Sequence, residues 1–182
     1  KEYTHDAFGN IKASKLTFFN GDDFESRTTT TTYDSKGRFT LSISNQLGHT
    51  KTTQFDPKLG HPISETDING LTTPYEYDVV GRLTKVNYPD GNWQTSAYED
   101  CSQVSCPPNS VFSIVARSSV NPEERTFYDV LGREVESRTF GFDSTVVVKK
   151  SQFNTRGLVS AVSAPYFVIQ TPVWTTMKYD TL

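Results

Sequence analysis

The stretch YDVVGR at residues 77–82 decides the fold, because it recurs twice more along the chain. The other copies read YDSKGR at residues 33–38 and YDVLGR at residues 128–133. Self-similarity of this kind marks a repeat architecture, in which motif residues build the repeat and do not carry out chemistry. The motif positions expected to be structural are Tyr33, Asp34, Gly37, Arg38, Tyr77, Asp78, Gly81, Arg82, Tyr128, Asp129, Gly132 and Arg133.

Weaker copies of the motif set the repeat length. Phe55, which is followed by Asp56, lies 22 residues after Tyr33 and 22 residues before Tyr77. Three further weak copies begin at Tyr98, Phe153 and Tyr179. The period is therefore in the low twenties and lengthens toward the C-terminal half.

A second turn signal lies between successive copies, at residues 45–48, 67–70 and 88–91. Two turn signals and two short segments per repeat indicate one β-hairpin per repeat. An Asp that opens a type I turn accepts hydrogen bonds from backbone N–H groups further along the turn. The Gly three residues later takes the positive φ that closes the turn. The aromatic residue and the Arg then lie on paired strands, where they can stack.

The segments between the turns have the character of strands. Thr28–Thr32 is an unbroken β-branched run, and Phe39, Leu41 and Ile43 alternate with polar residues. The positions after Gly132 that match this alternation are polar, so one face of the sheet is not apolar everywhere. A mean hydropathy of -0.52 agrees with a thin sheet. We predict an all-β fold of tandem antiparallel β-hairpins that form a curved single-layer sheet.

This set of motifs resembles the YD-repeat family, also called RHS-repeat proteins, and in particular the large bacterial secreted members. The resemblance extends over nearly the whole chain. It implies a long hairpin array that spirals into a hollow β-shell. In bacterial toxin complexes such a shell encloses a C-terminal toxic domain, and in animal teneurins a similar barrel serves cell-surface adhesion.

The role that the resemblance implies is structural and non-catalytic. The chain would build the shell wall of a large secreted RHS protein and enclose a toxic cargo. Its partners would be neighbouring RHS repeats of the same parent chain or a partner shell subunit, and the enclosed toxin domain. The alternative is a cell-surface adhesion or carbohydrate-binding repeat module. A secreted or cell-surface location follows from the resemblance alone, since the sequence carries no signal peptide.

The organisation expected is a single fragment of the array, residues 1–182, with about seven partial or complete repeats and an irregular insertion around residues 98–127. Tyr179-Asp180 opens one more copy, which suggests a piece of a longer chain. The end strands of such a piece expose unpaired edges. We therefore expect edge-to-edge self-association, or closure of the edges by irregular segments such as residues 101–110.

The stretch DPKLG at residues 56–60 departs from the family pattern. Shell-forming members end their repeats in an Asp-Pro-x-Gly motif at which self-cleavage occurs. Here the glycine stands one residue too late, and Asp56 occupies a repeat position. We interpret this stretch as a variant turn and not as a cleavage site.

Two cysteines, Cys101 and Cys106, leave two alternatives open. A disulfide fits a secreted parent, and free thiols fit a protein stored in the cytosol. A metal site would need more ligands at suitable spacing, and His5, His49 and His61 lie far apart near turn signals. We therefore expect no metal and no cofactor.

Two tryptophans, Trp93 and Trp174, are candidates for a glycan platform, although a place in the aromatic ladder of the sheet is the ordinary interpretation. No Gly-x-Ser-x-Gly motif is present, and the carboxylates sit mainly in turns, so we expect no enzyme. A net charge of -3, with scattered Lys and Arg, argues against nucleic-acid binding. No apolar stretch suggests membrane insertion.

Overall fold

The computed structural model describes residues 1–141 and 143–180, and in this part of the chain it consists of β-strands, turns and loops. Compactness divides the chain into a first unit, Lys1–Gly91, and a second unit that begins at Asn92. The copy that opens at Tyr179 continues into Thr181 and Leu182, which lie outside the described residues.

The first unit is an antiparallel meander in which each strand pairs with the next. Its strands are β1 (Glu2–His5), β2 (Ile11–Phe19), β3 (Phe24–Tyr33), β4 (Thr40–Asn45), β5 (Thr50–Phe55), β6 (Pro62–Thr66), β7 (Thr72–Tyr77) and β8 (Leu83–Asn87). The register is regular within strands, with Thr30 opposite both Ala13 and Ser44. It shifts by a bulge just before the motif turns, for example between Glu76 and Tyr77.

The second unit continues the same plan. Its strands are β9 (Trp93–Asp100), β10 (Phe112–Ser118), β11 (Glu123–Tyr128), β12 (Glu134–Phe140), β13 (Val146–Phe153), β14 (Val159–Ser163), β15 (Tyr166–Phe167) and β16 (Trp174–Thr176). Strand β13 pairs with β12 along one side and with both β14 and β15 along the other. The prediction of an all-β fold built from tandem antiparallel hairpins is confirmed.

Hydroxyl side chains cover one face of the first unit. Threonines of β3 lie beside serines of β4, and hydroxyl groups on neighbouring strands bind one another. The pairs Thr32–Ser42, Ser44–Thr50 and Thr66–Thr72 are hydrogen-bonded at 2.6, 2.7 and 2.8 Å. Cross-strand hydroxyl pairs stabilise a sheet without a second layer. The only strongly buried apolar side chain among the described residues of this unit is Val86.

A small core lies on one face of the second unit. Val115 and Phe127 are fully buried, and Val148 and Ala161 are nearly so. Polar side chains share this core, because Ser113 lies opposite Phe127, which in turn lies opposite Glu136. The polar positions after Gly132 therefore do not mark an exposed face, since Glu136 is among the most buried residues of the unit.

Candidate functional site

The turn at Asp78 shows how the repeat motif works. The backbone N–H of Asp78 donates to the carbonyl oxygen of Arg82 at 2.9 Å, and that of Gly81 donates to the carbonyl of Asp78 at 3.0 Å. The carboxylate oxygen Oδ1 accepts the N–H groups of Val80 and Arg82, and Oδ2 accepts Nε of Arg82 at 2.6 Å. Gly81 has a φ of +85°, which an L side chain rarely adopts. We call this arrangement an aspartate turn.

The copy at Asp129 forms the same turn, whereas the turn at Asp34 is one residue longer, because Asp34 N–H donates to the carbonyl of Phe39 at 2.9 Å. Asp129 accepts Leu131 N–H and Arg133 N–H on Oδ1, and its Oδ2 binds the Arg133 guanidinium at 2.6 and 2.8 Å. Asp34 binds Arg38 in the same way, at 3.0 and 3.1 Å. The carboxylates therefore serve the turns, and each arginine closes onto the aspartate of its own copy.

The pKa of each of these carboxyl groups lies below its ordinary value. For Asp129 the hydrogen bond from the Arg133 side chain is the main cause, and it outweighs burial, which acts in the opposite direction. For Asp78 the backbone N–H of Arg82 contributes most to lowering the pKa. Hydrogen bonds that favour the charged form produce such shifts. A carboxylate held in this state is suited to accept hydrogen bonds and not to act as a general acid.

Variant copies keep the turn and lose the ion pair. Asn154 Oδ1 accepts the N–H groups of Arg156 and Leu158, both at 3.0 Å, as the aspartates do. Asp56 Oδ1 accepts those of Lys58 and Leu59. The geometry at Asp56 is that of a turn. The second turn signals at Asn45 and Asp67 adopt the same arrangement.

The tyrosine of the motif contacts the preceding repeat. Tyr77 donates its hydroxyl to the carbonyl oxygen of Pro62 at 2.9 Å, and Tyr33 donates to that of Ile11 at 3.1 Å. Tyr179 donates to the carbonyl of Val159 at 2.8 Å. The acceptor is in each case just after the preceding turn. The sequence does not predict this link, although the constant position of the tyrosine is a signal for it.

The aromatic rings of the motif also stack on residues that follow the preceding turn. His61 lies on Tyr77 with ring centroids 5.0 Å apart, and Phe39 lies on Phe55 at 4.9 Å. In the second unit Phe112 stacks on Tyr128 at 4.9 Å. The partner is the residue that follows the preceding turn, not the arginine of the same copy. The predicted aromatic ladder therefore runs from repeat to repeat.

The motif glycines differ in their surroundings. A Cβ added to Gly81 would lie 3.1 Å from His61 Nε2, and one added to Gly37 would lie 2.6 Å from the Phe8 ring. A Cβ on Gly132 would meet nothing within 4 Å, although its φ is +73°. Glycine is thus needed for conformation at all three positions and for close packing at two of them.

The two cysteines are joined. Cys101 and Cys106 form a disulfide inside the loop of residues 101–111, which connects β9 to β10 and which we call the disulfide loop. It stands where other repeats have an aspartate turn. Tyr98 lies within β9 opposite Ile114, so the weak copy placed at Tyr98 does not mark the turn, which begins after Asp100. Irregular backbone in residues 98–127 comprises this loop and the short turn before β11.

A cleft of about 760 Å³ lies beside the disulfide loop in the second unit. Its walls come from the loop, from β12 and β13, and from β16. Among the lining residues are Asn109, Glu136, Lys150, Gln152 and Trp174. This cleft was not predicted from the sequence, because its walls come from residues that are distant along the chain.

Charged side chains at the cleft neutralise one another. The carboxylate of Glu136, whose side chain is 4% exposed, binds Arg138 Nε at 2.6 Å and Lys150 Nζ at 3.2 Å. Burial alone would lower the pKa of Lys150, but the hydrogen bond and charge of Glu136 raise it. The Arg138 guanidinium also lies 4.8 Å from the ring of Phe127. Only the spacing of Glu136 and Arg138 on one strand face hinted at this network.

The tryptophans do not meet. Trp93 lies on β9 and Trp174 on β16, and β10–β14 separate these strands in the pairing order of the second unit. Only Trp174 lines the cleft. The structure therefore does not bring the two candidates into one platform.

In the described residues, no group of three or more His, Cys, Asp or Glu side chains could hold a metal ion. Within residues 1–141 and 143–180, no helix is long and apolar enough to cross a membrane.

One segment of the chain matches a known repeat family. The family model described as RHS Repeat matches residues 55–92. The chain carries an RHS repeat. The matched segment contains the variant turn at Asp56 and the full motif at residues 77–82. A search of curated protein sequences finds no match.

A solved structure shares the fold of this chain. A crystal structure of TcdB2-TccC3-TEV superposes with a TM-score of 0.53 at 11% identity, over 95% of this chain and 11% of that chain. A Tc holotoxin pore from Photorhabdus luminescens, mutated in TccC3, matches with a TM-score of 0.47 at 17% identity, over 92% of this chain and 11% of that one. The chain thus spans about one ninth of the length of these structures, and the likeness concerns the fold.

Proposed function

We propose that this chain is a non-catalytic structural segment of a large secreted RHS protein, where it builds the wall of a hollow shell around a toxic cargo. The observation that carries the proposal is the contact from repeat to repeat. In each full motif the aspartate binds its own turn. Tyr33 and Tyr77 donate to the preceding repeat, and Tyr128 stacks on Phe112. Units joined in this way add end to end into a wall.

The similarity in fold to a toxin-complex structure supports the proposed role in a shell wall. The structure of TcdB2-TccC3-TEV resembles nearly all of this chain in fold, although this chain covers 11% of it. The partners we propose are neighbouring RHS repeats of the same parent chain or a partner shell subunit, and an enclosed toxin domain. Secretion is part of the same proposal.

The carboxylates that could act in catalysis are bound by neighbouring groups, which supports a non-catalytic role. The motif aspartates are bound within their turns, and Glu136 is neutralised by Arg138 and Lys150. A catalytic carboxylate must be able to exchange a proton or attack a substrate, and these groups are committed to structural bonds.

Protease protection of the longer protein tests enclosure. In the native protein we expect the cargo to remain uncut, and after denaturation in urea we expect it to be cut rapidly. A cargo that is cleaved at the same rate in both states would contradict the proposal. A purified cargo domain without the repeats serves as the control for intrinsic protease sensitivity.

A second candidate function is carbohydrate binding, with adhesion as its role. The cleft favours it, because Trp174 supplies an aromatic face beside the polar side chains of Gln152 and Asn109. Glycan-array binding should fall in Trp174→Ala and persist in Trp93→Ala, the matched control that lies away from the cleft. Equal binding by both variants and the parent chain would remove the cleft from consideration.

A further inference from the structure

The disulfide loop forms one side of the cleft in the second unit. Residues 107–111 line the cleft opposite β12 and β13. The end of the loop is fixed to the sheet, because Val111 N–H donates to the carbonyl of Tyr128 at 2.7 Å. Its start is fixed as well, since Cys101 N–H donates to the carbonyl of Val111 at 3.0 Å.

Between these anchors, non-covalent restraints are local. In the described part of the chain, the backbone N–H groups of residues 102–110 donate from Ser102 to Asp100 Oδ1, from Gln103 to the carbonyl of Asp100 and from Ser110 to the carbonyl of Pro107. The Ser110 hydroxyl oxygen is buried without a hydrogen-bond partner there. None of these bonds ties the middle of the loop to β12 or β13. The disulfide is thus the strongest restraint on the conformation of the loop.

The cleft that the loop lines also contains groups that water would solvate well. Glu136 is buried at the cleft, and its two cationic partners are only partly exposed. A buried ion pair is costly to desolvate and gains little from further covering. Movement of the loop would therefore hydrate this network at a modest cost in free energy.

We propose that the disulfide loop is a redox-sensitive lid, which covers the cleft while Cys101 and Cys106 are joined and opens when they are reduced. The reductant would be a dithiol. Its thiolate attacks one sulfur and breaks the Cys101–Cys106 bond, and its second thiol then releases the mixed disulfide. The protein gains two thiols, and the reductant becomes a cyclic disulfide. Both cysteines are only partly buried, so a small thiol can reach them.

Hydrogen exchange of the whole chain tests the lid. Amides of Gln103, Ser110 and Val111, which donate the hydrogen bonds of the loop and of its anchor, are followed with and without dithiothreitol. We expect exchange on the order of tenfold faster after reduction, as for a local opening. Residues 40–66 of the first unit serve as the internal reference and should not change. The Cys101→Ser/Cys106→Ser double variant should match the reduced protein under both conditions.

Tryptophan quenching provides a second readout. In a Trp93→Phe background the emission comes from Trp174 in the cleft wall, and acrylamide quenching should increase on reduction. Unchanged exchange and unchanged quenching would overturn the proposal. Loss of protection throughout the second unit, with loss of its β-sheet circular dichroism, would also overturn it, because the disulfide would then be needed for folding and not for covering the cleft.

Discussion

The two units use the same turn but differ in what covers their sheets. In the first unit both faces remain largely open, and Val86 is its one strongly buried apolar residue in the described range. In the second unit the disulfide loop and the segment around β15 accompany a core that contains Val115, Phe127 and Val148. The comparison shows that the same short-range motif builds hairpins in both units, whereas the extent of burial differs between them.

The largest effect is expected from the core of the second unit. Phe127→Ala removes a fully buried ring that packs against Arg138 and should destabilise the second unit by about 3–5 kcal/mol. Ile43→Ala in the first unit, where the side chain is 45% exposed, should cost about 1 kcal/mol. Urea unfolding followed by hydrogen exchange of each unit measures both. Equal losses of unfolding free energy would show that the two sheets do not differ in how far they bury their apolar side chains.

The next largest difference in stability between the units is expected from removal of a buried carboxylate. Glu136→Gln leaves Arg138 and Lys150 without a counter-charge at a buried position, and it should cost about 2–3 kcal/mol. Glu65→Gln in the first unit breaks a more exposed contact with Lys51 and should cost less than about 1 kcal/mol. Tryptophan fluorescence follows the first variant, since Trp93 and Trp174 both lie in the second unit. A smaller loss for Glu136→Gln than for Glu65→Gln would refute the buried network.

Substitution of the turn glycines should differ less between the units, and here the larger loss of stability is expected in the first unit. Gly81→Ala must adopt a positive φ and also bring Cβ to 3.1 Å from His61, so we expect a loss of about 2 kcal/mol. Gly132→Ala meets no neighbour and should lose about 1 kcal/mol for conformation alone. Thermal unfolding by circular dichroism, with exchange to assign the unit, measures the difference. Equal losses would mean that His61 moves aside without cost.

Acid should weaken the ion-paired turns. The pKa of Asp129 is lowered mainly by the Arg133 hydrogen bond, so its stabilisation is present above the unfolded value of about 4. That stabilisation is lost as the pH falls through the lower folded value. Asp129→Asn, which keeps a backbone acceptor as Asn154 does, should flatten the acid side of the stability profile. Asp56→Asn, whose turn lacks an arginine pair, should flatten it less.

An unchanged acid profile in Asp129→Asn would contradict the assignment of this pH dependence to the aspartate turn. The Asp56→Asn variant controls for the loss of charge alone. Both variants should remain folded at neutral pH, because Asn45 and Asn154 form the same turn in the native chain.

Edge pairing is the smallest effect expected. The outer edge of the first unit is β1, with four residues, and β16 in the second unit has three. We predict weak self-association that Tyr3→Lys reduces more than Thr175→Lys, because a charge on the longer edge opposes pairing more. Light scattering after size exclusion measures this. A monomer at every concentration would reject edge-to-edge pairing.

Local signals predicted the hairpins well, because the turns that begin at Asp or Asn of the repeats are closed by hydrogen bonds between residues at most five positions apart. The bonds from Asp78 to Val80 and Arg82, and the positive φ of Gly81, follow from the motif itself. The strand pairing then follows from antiparallel connection through short turns. The alternation of Phe39, Leu41 and Ile43 likewise reported a real strand, β4.

Contacts between distant residues could not be predicted in the same way. The cleft, the burial of Glu136 and the tyrosine bonds to the preceding repeat depend on register across many strands. Polar residues after Gly132 suggested a mixed face, but only their pairing with Arg138 and Lys150 explains how Glu136 becomes buried. The state of Cys101 and Cys106 was equally open, since spacing alone fits both a disulfide and free thiols.

Electron microscopy of the longer protein that contains this chain tests the central proposal most directly. We predict a closed, hollow particle in which residues 1–180 form part of the wall and density for a cargo lies inside. An open or extended particle with nothing enclosed would contradict the shell, and it would favour the adhesive function and the glycan tests of Trp174.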